Sequence, residues 1–231
     1  MAASALVTGV VLAAAGLSLA STALASAGDK TMTAEQKKIV YIEASTGRAW
    51  NLPELPKRVG DERFSIDFYA RYDFDKSPVL QKVLNGTPSR PDVLVIQECA
   101  VYFPGPVDAY KTQYRNWIRD IKAAGIAPVI ATTVPPARSQ GWWEDTKDFV
   151  KERILGRESQ YEQIVQFNEW LRALARDEGV VLLDLEQRLR IDERDRHMRD
   201  AYDAGDGIHL NESAYRELDR LLHETVRDKL L

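Results

Sequence analysis

The segment Pro91-Asp92-Val93-Leu94-Val95-Ile96 places four consecutive apolar residues behind a Pro-Asp pair. A short, continuous apolar run of this kind is typical of a strand that is covered on both faces, as the strands of parallel sheets are. Comparable runs occupy positions 38–42, 128–132 and 180–185, and positions 64–69 form a weaker strand candidate. The sequence therefore predicts a sheet of about five strands.

The segments between these strand candidates have the spacing of amphipathic helices. Apolar residues recur three and four positions apart over 107–124 and 161–177, and a glycine follows each segment. Asn211 is placed to cap a last helix, which carries Tyr215, Leu218, Leu222 and Val226 on its apolar side. Strand–helix alternation predicts an α/β protein, a three-layer α/β/α fold with a parallel sheet. In such sheets functional residues collect at the carboxyl ends of the strands.

The composition argues against two kinds of function, nucleic-acid binding and zinc binding through cysteines. The chain has 231 residues with 31 basic and 35 acidic side chains, so its net charge of −4 gives no electrostatic reason to expect nucleic acid as a partner. A single cysteine, Cys99, excludes an intrachain disulfide and a cysteine-based zinc site. No metal or organic cofactor is expected. The mixed-charge segment 186–200 is interpreted as a solvated loop or helix face.

The amino-terminal 28 residues contain no charged side chain and are rich in alanine and leucine. Small residues at 23–27 follow the apolar stretch, as they do before a signal-peptide cleavage site. We therefore expect residues 1–27 to be a signal peptide, residues 28–231 to be one domain, and the protein to be exported to the periplasm or the extracellular space. The alternative is an uncleaved membrane anchor, because more than 18 weakly apolar residues are long enough to span a bilayer.

Two segments of the sequence contain candidate catalytic residues. Asp206-Gly207-Ile208-His209 lies directly before the last helix, and an aspartate three residues ahead of a histidine can orient the imidazole for general-base work. Ser45 follows the first strand candidate, the position at which an α/β hydrolase presents its nucleophile. The plainer alternatives are a surface histidine behind a turn and a serine that caps the following helix.

The order of Ser45, Asp206 and His209 along the chain, together with the residues that flank them, resembles the SGNH (GDSL-type) hydrolase superfamily. The resemblance extends over nearly the whole chain beyond residue 28. The segment 206–215 is similar to the final block of that family, and 91–97, 123–130 and 168–185 are similar to its middle strands and helices. The resemblance implies a flavodoxin-like α/β/α fold. It also implies a catalytic Ser45, His209 and Asp206, with no cofactor.

The chain departs from the family pattern in two blocks. Glu43-Ala44-Ser45 stands where the family has G-D-S, and 97–102 (Gln-Glu-Cys-Ala-Val-Tyr) stands where it has G-x-N-D. Cys99 then takes the place of the glycine and is expected to be a buried, inert thiol. Val101 takes the place of the asparagine, and no counterpart of the family's second-block glycine is evident in 69–75. Backbone N–H groups of Ser45 and of the turn after Glu98 are therefore expected to be the oxyanion donors.

Three residues are candidates for substrate binding. Glu98 follows the strand at 93–96 and could bind a substrate hydroxyl or cationic group; its alternative is an ion pair or a helix cap. Trp142 and Trp143 follow the strand at 128–132, where a sugar or acyl group could stack on them, and they could equally belong to the core. Trp50, close behind Ser45, is a weaker candidate of the same kind.

The resemblance implies an exported serine esterase or deacylase that hydrolyses an ester, such as an O-acyl group on a carbohydrate or lipid. The alternative is a non-catalytic protein of the same fold that binds a carbohydrate or a partner protein. The expected ligand is accordingly a small-molecule or glycan ester.

Overall fold

The sheet has five strands, all parallel, in the order β2-β1-β3-β4-β5. The computed structural model describes residues 36–86, 89–99, 108–138, 159–207 and 209–231. Its strands are β1 Lys37–Glu43, β2 Phe64–Ala70, β3 Val93–Gln97, β4 Ala127–Ala131 and β5 Val181–Leu183. The predicted parallel sheet of about five strands is confirmed.

Helices connect the strands and cover both faces of the sheet. They are α1 Ser45–Trp50, α2 Leu55–Val59, α3 Ser77–Leu84, α4 Asp108–Ala123, α5 Gln160–Glu178, α6 Leu185–Leu189 and α7 Glu212–Lys229. Short 3-10 turns at Leu52–Glu54 and Asp200–Tyr202 complete the described elements. Helices on both faces explain why the strands are apolar without interruption.

Side chains of each strand alternate between two cores. Ile39 and Tyr41 of β1 face the core that α1, α2, α6 and α7 cover, whereas Val40 and Ile42 face the core under α3, α4 and α5. All four side chains are buried. A shift of one residue in the pairing of β1 would exchange the two sets, so the two cores together fix its register.

The sheet has a topological switch point between β1 and β3. The chain runs from β1 outward to β2, returns to β3 on the other side of β1, and continues to β4 and β5. Loops that leave β1 and β3 in opposite directions open a crevice at the carboxyl ends of these strands, where ligands bind in open α/β sheets. Ser45 follows β1 and Glu98 follows β3, so both lie at this crevice.

Close packing of α1 requires a glycine two residues after Ser45. A β-carbon on Gly47 would lie 2.4 Å from Cε2 of Phe68 in β2, a distance that no real contact of this kind tolerates. The backbone of α1 at Gly47 therefore packs directly on the Phe68 ring, and a larger residue there would require that ring to move. This contact places the start of α1 against β2, at the edge of the sheet.

The fifth strand is shorter than the sequence predicted. The apolar run 180–185 forms a strand only over Val181–Leu183, and Leu185 begins α6. Asp184 ends the strand because its side chain caps α6, accepting the Gln187 N–H at 3.1 Å. The same carboxylate accepts two hydrogen bonds from the guanidinium of Arg172, at 2.7 Å each.

The mixed-charge segment 186–200 is not simply a solvated face, which corrects that interpretation. Glu186 and Arg196 are buried. Arg196 donates to both carboxylate oxygens of Glu186, and Asn168 and Arg172 donate to the same carboxylate at 2.8 and 3.1 Å. These partners compensate the loss of hydration, so charged residues of this segment anchor it to α5.

The last helix begins as predicted. The Asn211 side chain accepts the Ala214 N–H at 3.1 Å and donates to the carbonyls of Ala201 and Asp203 at 2.8 and 3.0 Å. The same helix packs on Trp50, whose indole N–H donates to Asp219 at 2.7 Å. Trp50 is buried, so it is a core residue and is not available for stacking on a substrate.

None of the helices in the described part of the chain is long and apolar enough to cross a bilayer. Residues 1–35 lie outside the described residues. The expected signal peptide at 1–27 therefore stays a prediction.

Candidate functional site

Ser45 is the first residue of α1 and stands at the carboxyl end of β1. Its Oγ lies 3.7 Å from Sγ of Cys99, which follows β3. Either atom is a possible donor in this contact. Cys99 is buried, as the sequence predicted. The side chains that follow β1 and β3 therefore meet at the switch point of the sheet.

Asp206 and His209 form a pair in the loop before α7. The carboxylate of Asp206 lies 2.5 Å from Nδ1 of His209 and accepts the backbone N–H of the same residue at 2.7 Å. About half of each side chain is exposed, 55% for His209 and 51% for Asp206. This geometry fixes the ring and leaves Nε2 as the nitrogen for proton transfer.

The loop that carries this pair is built by another aspartate. Asp203 accepts the N–H groups of Gly205 and Gly207 at 2.9 and 3.1 Å, and its backbone bridges Leu210. Both glycines have positive φ, 101° and 76°, which side-chain-bearing residues rarely adopt. The turn therefore brings Asp206 back toward His209.

The structure assembles the predicted residues in two groups. Ser45 meets Cys99, and Asp206 meets His209, but no hydrogen bond within the described residues joins the Ser45 hydroxyl to the His209 imidazole. Trp142 and Trp143 lie outside the described residues. Their binding role stays a prediction.

Glu98 lies at the crevice but has no exposed surface. Its Oε2 is 3.2 Å from Nζ of Lys76, and neither side chain is exposed. Burial raises the pKa of Glu98 to about 7, although the Lys76 charge and a hydrogen bond from Tyr110 favour the ionised form. Of the alternatives that the sequence left open for Glu98, these contacts favour the ion pair.

Glu43, the last residue of β1, is also fully buried. Its Oε2 accepts the Gly47 N–H at 2.7 Å. Burial raises the pKa of Glu43 to about 7, while backbone N–H groups at the start of α1 and the Lys76 charge oppose the shift. The N–H of Ser45, the first residue of α1, has no acceptor within its own helix.

Sequence reasoning missed Lys76. A single lysine in the polar stretch between a strand and a helix belongs to no motif, and lysine is among the residues least often buried. The sequence did contain one signal, at Glu43, because this charged residue ends an otherwise apolar run. A carboxylate at the end of a doubly covered strand needs a buried partner.

Among the described residues, no group of three or more His, Cys, Asp and Glu side chains is arranged to hold a metal ion.

This is a three-layer α/β/α protein whose candidate site lies at the switch point of a parallel sheet. Residues 78–217, more than half of the chain, match the model of the GDSL-like lipase/acylhydrolase family. The chain belongs to that family. Asp206 and His209 fall within the matched residues, whereas Ser45 precedes them.

Solved structures share the fold. A GDSL-like lipase from Bacteroides thetaiotaomicron is 16% identical with a TM-score of 0.60, covering 84% of this chain and 89% of its own. A catalytic mutant of an acetylxylan esterase from Geobacillus stearothermophilus is 10% identical with a TM-score of 0.55, covering 83% and 93%. At such low identity these likenesses show the fold. A comparison with curated protein sequences found no match.

The raised carboxyl pKa values predict how stability depends on pH. Folded Glu98 holds a proton that the unfolded chain releases, so its contribution is fully present below about pH 4.5 and is lost as pH rises through about 7. Glu98→Gln cannot ionise, and we expect it to reduce the loss of unfolding free energy between pH 5 and pH 8 by on the order of 1 kcal/mol or more. Urea denaturation at a series of pH values measures this.

Glu178→Gln is the matched control, because Glu178 forms an exposed pair with Lys122. We expect this variant to show the wild-type dependence on pH. An unchanged slope in Glu98→Gln would contradict the assignment of a neutral-range proton to the buried carboxyl.

Proposed function

We propose that this protein is an exported serine esterase or deacylase that hydrolyses an ester by a Ser45–His209–Asp206 mechanism. The observation that carries the proposal is the Asp206–His209 pair, in which one carboxylate binds both the ring N–H and the backbone N–H of the histidine. Family membership supports hydrolysis of an acyl group. The position of Ser45 at the carboxyl end of β1 supports its role as nucleophile.

In the proposed reaction, Nε2 of His209 takes the proton of Ser45 as Oγ attacks the ester carbonyl. Asp206 stabilises the imidazolium that forms. His209 then returns the proton to the leaving alcohol, and an acyl-enzyme remains on Ser45. Water, activated by His209, hydrolyses this intermediate and releases the acid. Nε2 and Oγ must approach in the substrate complex, since hydrogen bonds of this kind are often loose without substrate.

Backbone N–H groups are the proposed oxyanion donors. Glu43 accepts the Gly47 N–H, whereas the N–H of Ser45 begins α1 and has no acceptor within its own helix. In this proposal Ser45 therefore supplies both the nucleophile and one donor. Each donor that such a site lacks typically costs about 10²–10³ in kcat.

The proposed substrate is an O-acyl group on a carbohydrate or lipid. One structural relative is an acetylxylan esterase, which favours a carbohydrate ester for trial. Trp142 and Trp143 are proposed to stack on the sugar. The net charge of −4 gives no attraction to nucleic acid.

A binding protein is the second candidate. Cys99 in van der Waals reach of Ser45, at the place where family members have a glycine, favours a site that has lost part of its catalytic machinery. In that case the crevice binds a carbohydrate or a partner protein without cleaving it.

Hydrolysis of short-chain nitrophenyl esters and acetylated xylo-oligosaccharides tests the two candidates. We expect wild-type activity on at least one ester and background activity for Ser45→Ala, with a loss of about 10⁴ in kcat for Asp206→Asn because the imidazole loses its orienting acceptor. Ser89→Ala is the control and should keep wild-type kinetics. Ser89 precedes β3 and contacts Lys38 at the start of β1, so it lies at the amino ends of the strands, away from Ser45.

Full activity in Ser45→Ala would refute the mechanism. No hydrolysis by the wild type, combined with binding of the acetylated oligosaccharide in calorimetry, would select the binding protein.

Export follows from the uncharged segment 1–27 and is part of the proposal. We expect the exported fraction to contain a protein that begins near Ser26 or Gly28, because small residues at 23–27 suit a signal peptidase. Amino-terminal sequencing of that fraction measures it. Intact Met1 in the membrane fraction would instead identify an anchor.

A further inference from the structure

Lys76 is a fully buried lysine immediately before α3. Its ammonium donates to the backbone carbonyls of Arg71 and Asp73 at 3.0 and 2.9 Å, and it lies 3.2 Å from the carboxylate of Glu98. An ammonium group has three protons to donate. Two of them go to carbonyls of the loop that follows β2, and the contact with Glu98 is an ion pair.

One buried cation, Lys76, influences two buried carboxyl groups. Its positive charge lowers the pKa of both Glu43 and Glu98, whereas the charge of Glu43 raises the pKa of Glu98. With both carboxyl groups ionised, the cluster would carry a net charge of −1 in a water-free environment. It is electrically balanced when the two carboxyl groups hold one proton between them.

The three side chains contact or lie on the segments that follow β1, β2 and β3. Glu43 accepts the Gly47 N–H at the start of α1, Lys76 donates to carbonyls of the loop between β2 and α3, and Glu98 precedes Cys99 after β3. Cys99 in turn contacts Ser45 at 3.7 Å. No other buried charged cluster of the described residues touches the first turn of α1.

We propose that Glu43, Lys76 and Glu98 are positioning residues of the site, with Lys76 at the centre, and that the Lys76–Glu98 ion pair and the backbone hydrogen bonds of Lys76 and Glu43 fix the segments after β1, β2 and β3 near Ser45. This inference rests on the proposed function. None of the three side chains touches substrate. They act by holding backbone donors in place before the charged intermediate forms, and such preorganisation often contributes more to the rate of acyl transfer than any other single effect.

Burying charges here is costly for stability, which favours a role in the site. An ion pair with no exposed surface seldom gains more than well-packed apolar residues would provide. What apolar residues cannot provide at this place is hydrogen bonds to the carbonyls of residues 71 and 73 and to the N–H group at 47. The cluster satisfies backbone groups on two of the segments at once.

Four tyrosines from three elements face the cluster. Burial raises the pKa of each of them, and the charge of Glu43 or Glu98 adds to the shift: Tyr41, Tyr110, Tyr114 and Tyr215. They stay neutral in the neutral pH range. Asp75, near Tyr110, adds a further negative charge on the loop before α3. Proton exchange near neutrality therefore belongs to the two carboxyl groups.

The test compares Lys76→Met with the double variant Lys76→Met/Glu98→Gln. Removing the cation alone leaves buried carboxyl groups unpaired, whereas the double variant removes one charge of each sign. We expect the double variant to fold and to lose at least about 100-fold in kcat with KM changed less than about threefold, because methionine fills the space but donates no hydrogen bond. Lys122→Met, in the exposed pair with Glu178, is the control and should keep both constants.

A folded double variant with wild-type kcat would overturn the proposal. Glu98→Gln provides a second measurement should the double variant fail to fold. In the wild type, kcat should decline as the cluster gains net negative charge above neutral pH, and Glu98→Gln should move this alkaline decline upward by at least about one pH unit. An unmoved profile would count against the cluster.

Two readouts do not need an active enzyme. Carbon-13 NMR of labelled glutamate side chains, assigned with Glu43→Gln and Glu98→Gln, should show one proton exchanging near neutral pH. Amide exchange at Thr46 and Gly47 should become faster in the double variant. Ordinary titration of both carboxyl groups near pH 4.5, or unchanged exchange, would refute the cluster, whereas a lack of esterase activity alone would refute only the proposed function.

Discussion

The buried ammonium of Lys76 ties together the loops at the carboxyl edge of the sheet. A parallel sheet covered on both faces leaves this edge as the place where polar groups can meet a ligand. The backbone at that edge still needs hydrogen-bond partners, and Lys76 supplies them for two carbonyls while it pairs with Glu98. Glu43 does the same for the N–H group of Gly47 in the first turn of α1. The surroundings of Ser45 therefore depend on one cation and two carboxyl groups.

The departures from the family pattern fit this arrangement. Glu43 stands where family members have the glycine of G-D-S, and its carboxylate holds the turn that follows. Cys99 stands in the place of a second glycine and packs against Ser45. Both residues add a side chain close to Ser45, and the Asp206 carboxylate lies where it orients the His209 imidazole. The chain thus combines an Asp–His pair before α7 with side chains near Ser45 that the family pattern lacks.

Much of the fold was predictable, because apolar strands and amphipathic helices are local patterns. The runs around β1, β3 and β4 predicted strands, and Asn211 predicted the start of α7. β5 was predicted too long, since an apolar run does not reveal that Asp184 caps a helix within it. The same limit applies to Trp50, whose burial depends on Asp219 from the far end of the chain.

The site was predictable in part. Spacing indicated the pairing of Asp206 with His209, because the two residues are three positions apart and local geometry decides whether they meet. The cluster around Lys76 was not predictable, since its members lie on three separate loops and no short pattern connects positions 43, 76 and 98. The burial of Glu186 and Arg196 was not predicted for the same reason. The sequence alone does not show whether a charged residue is exposed to water or buried against another charged residue.

Labelling with a fluorophosphonate tests the central claim, that Ser45 is the activated nucleophile at the switch point of the sheet. In that reaction the serine oxygen bonds to phosphorus and fluoride leaves. Peptide mapping by mass spectrometry should locate one adduct on Ser45, formed at a rate that falls sharply in Asp206→Asn because the imidazole is no longer held for proton removal. An adduct on another residue, or none under conditions that label an active serine esterase, would contradict the account.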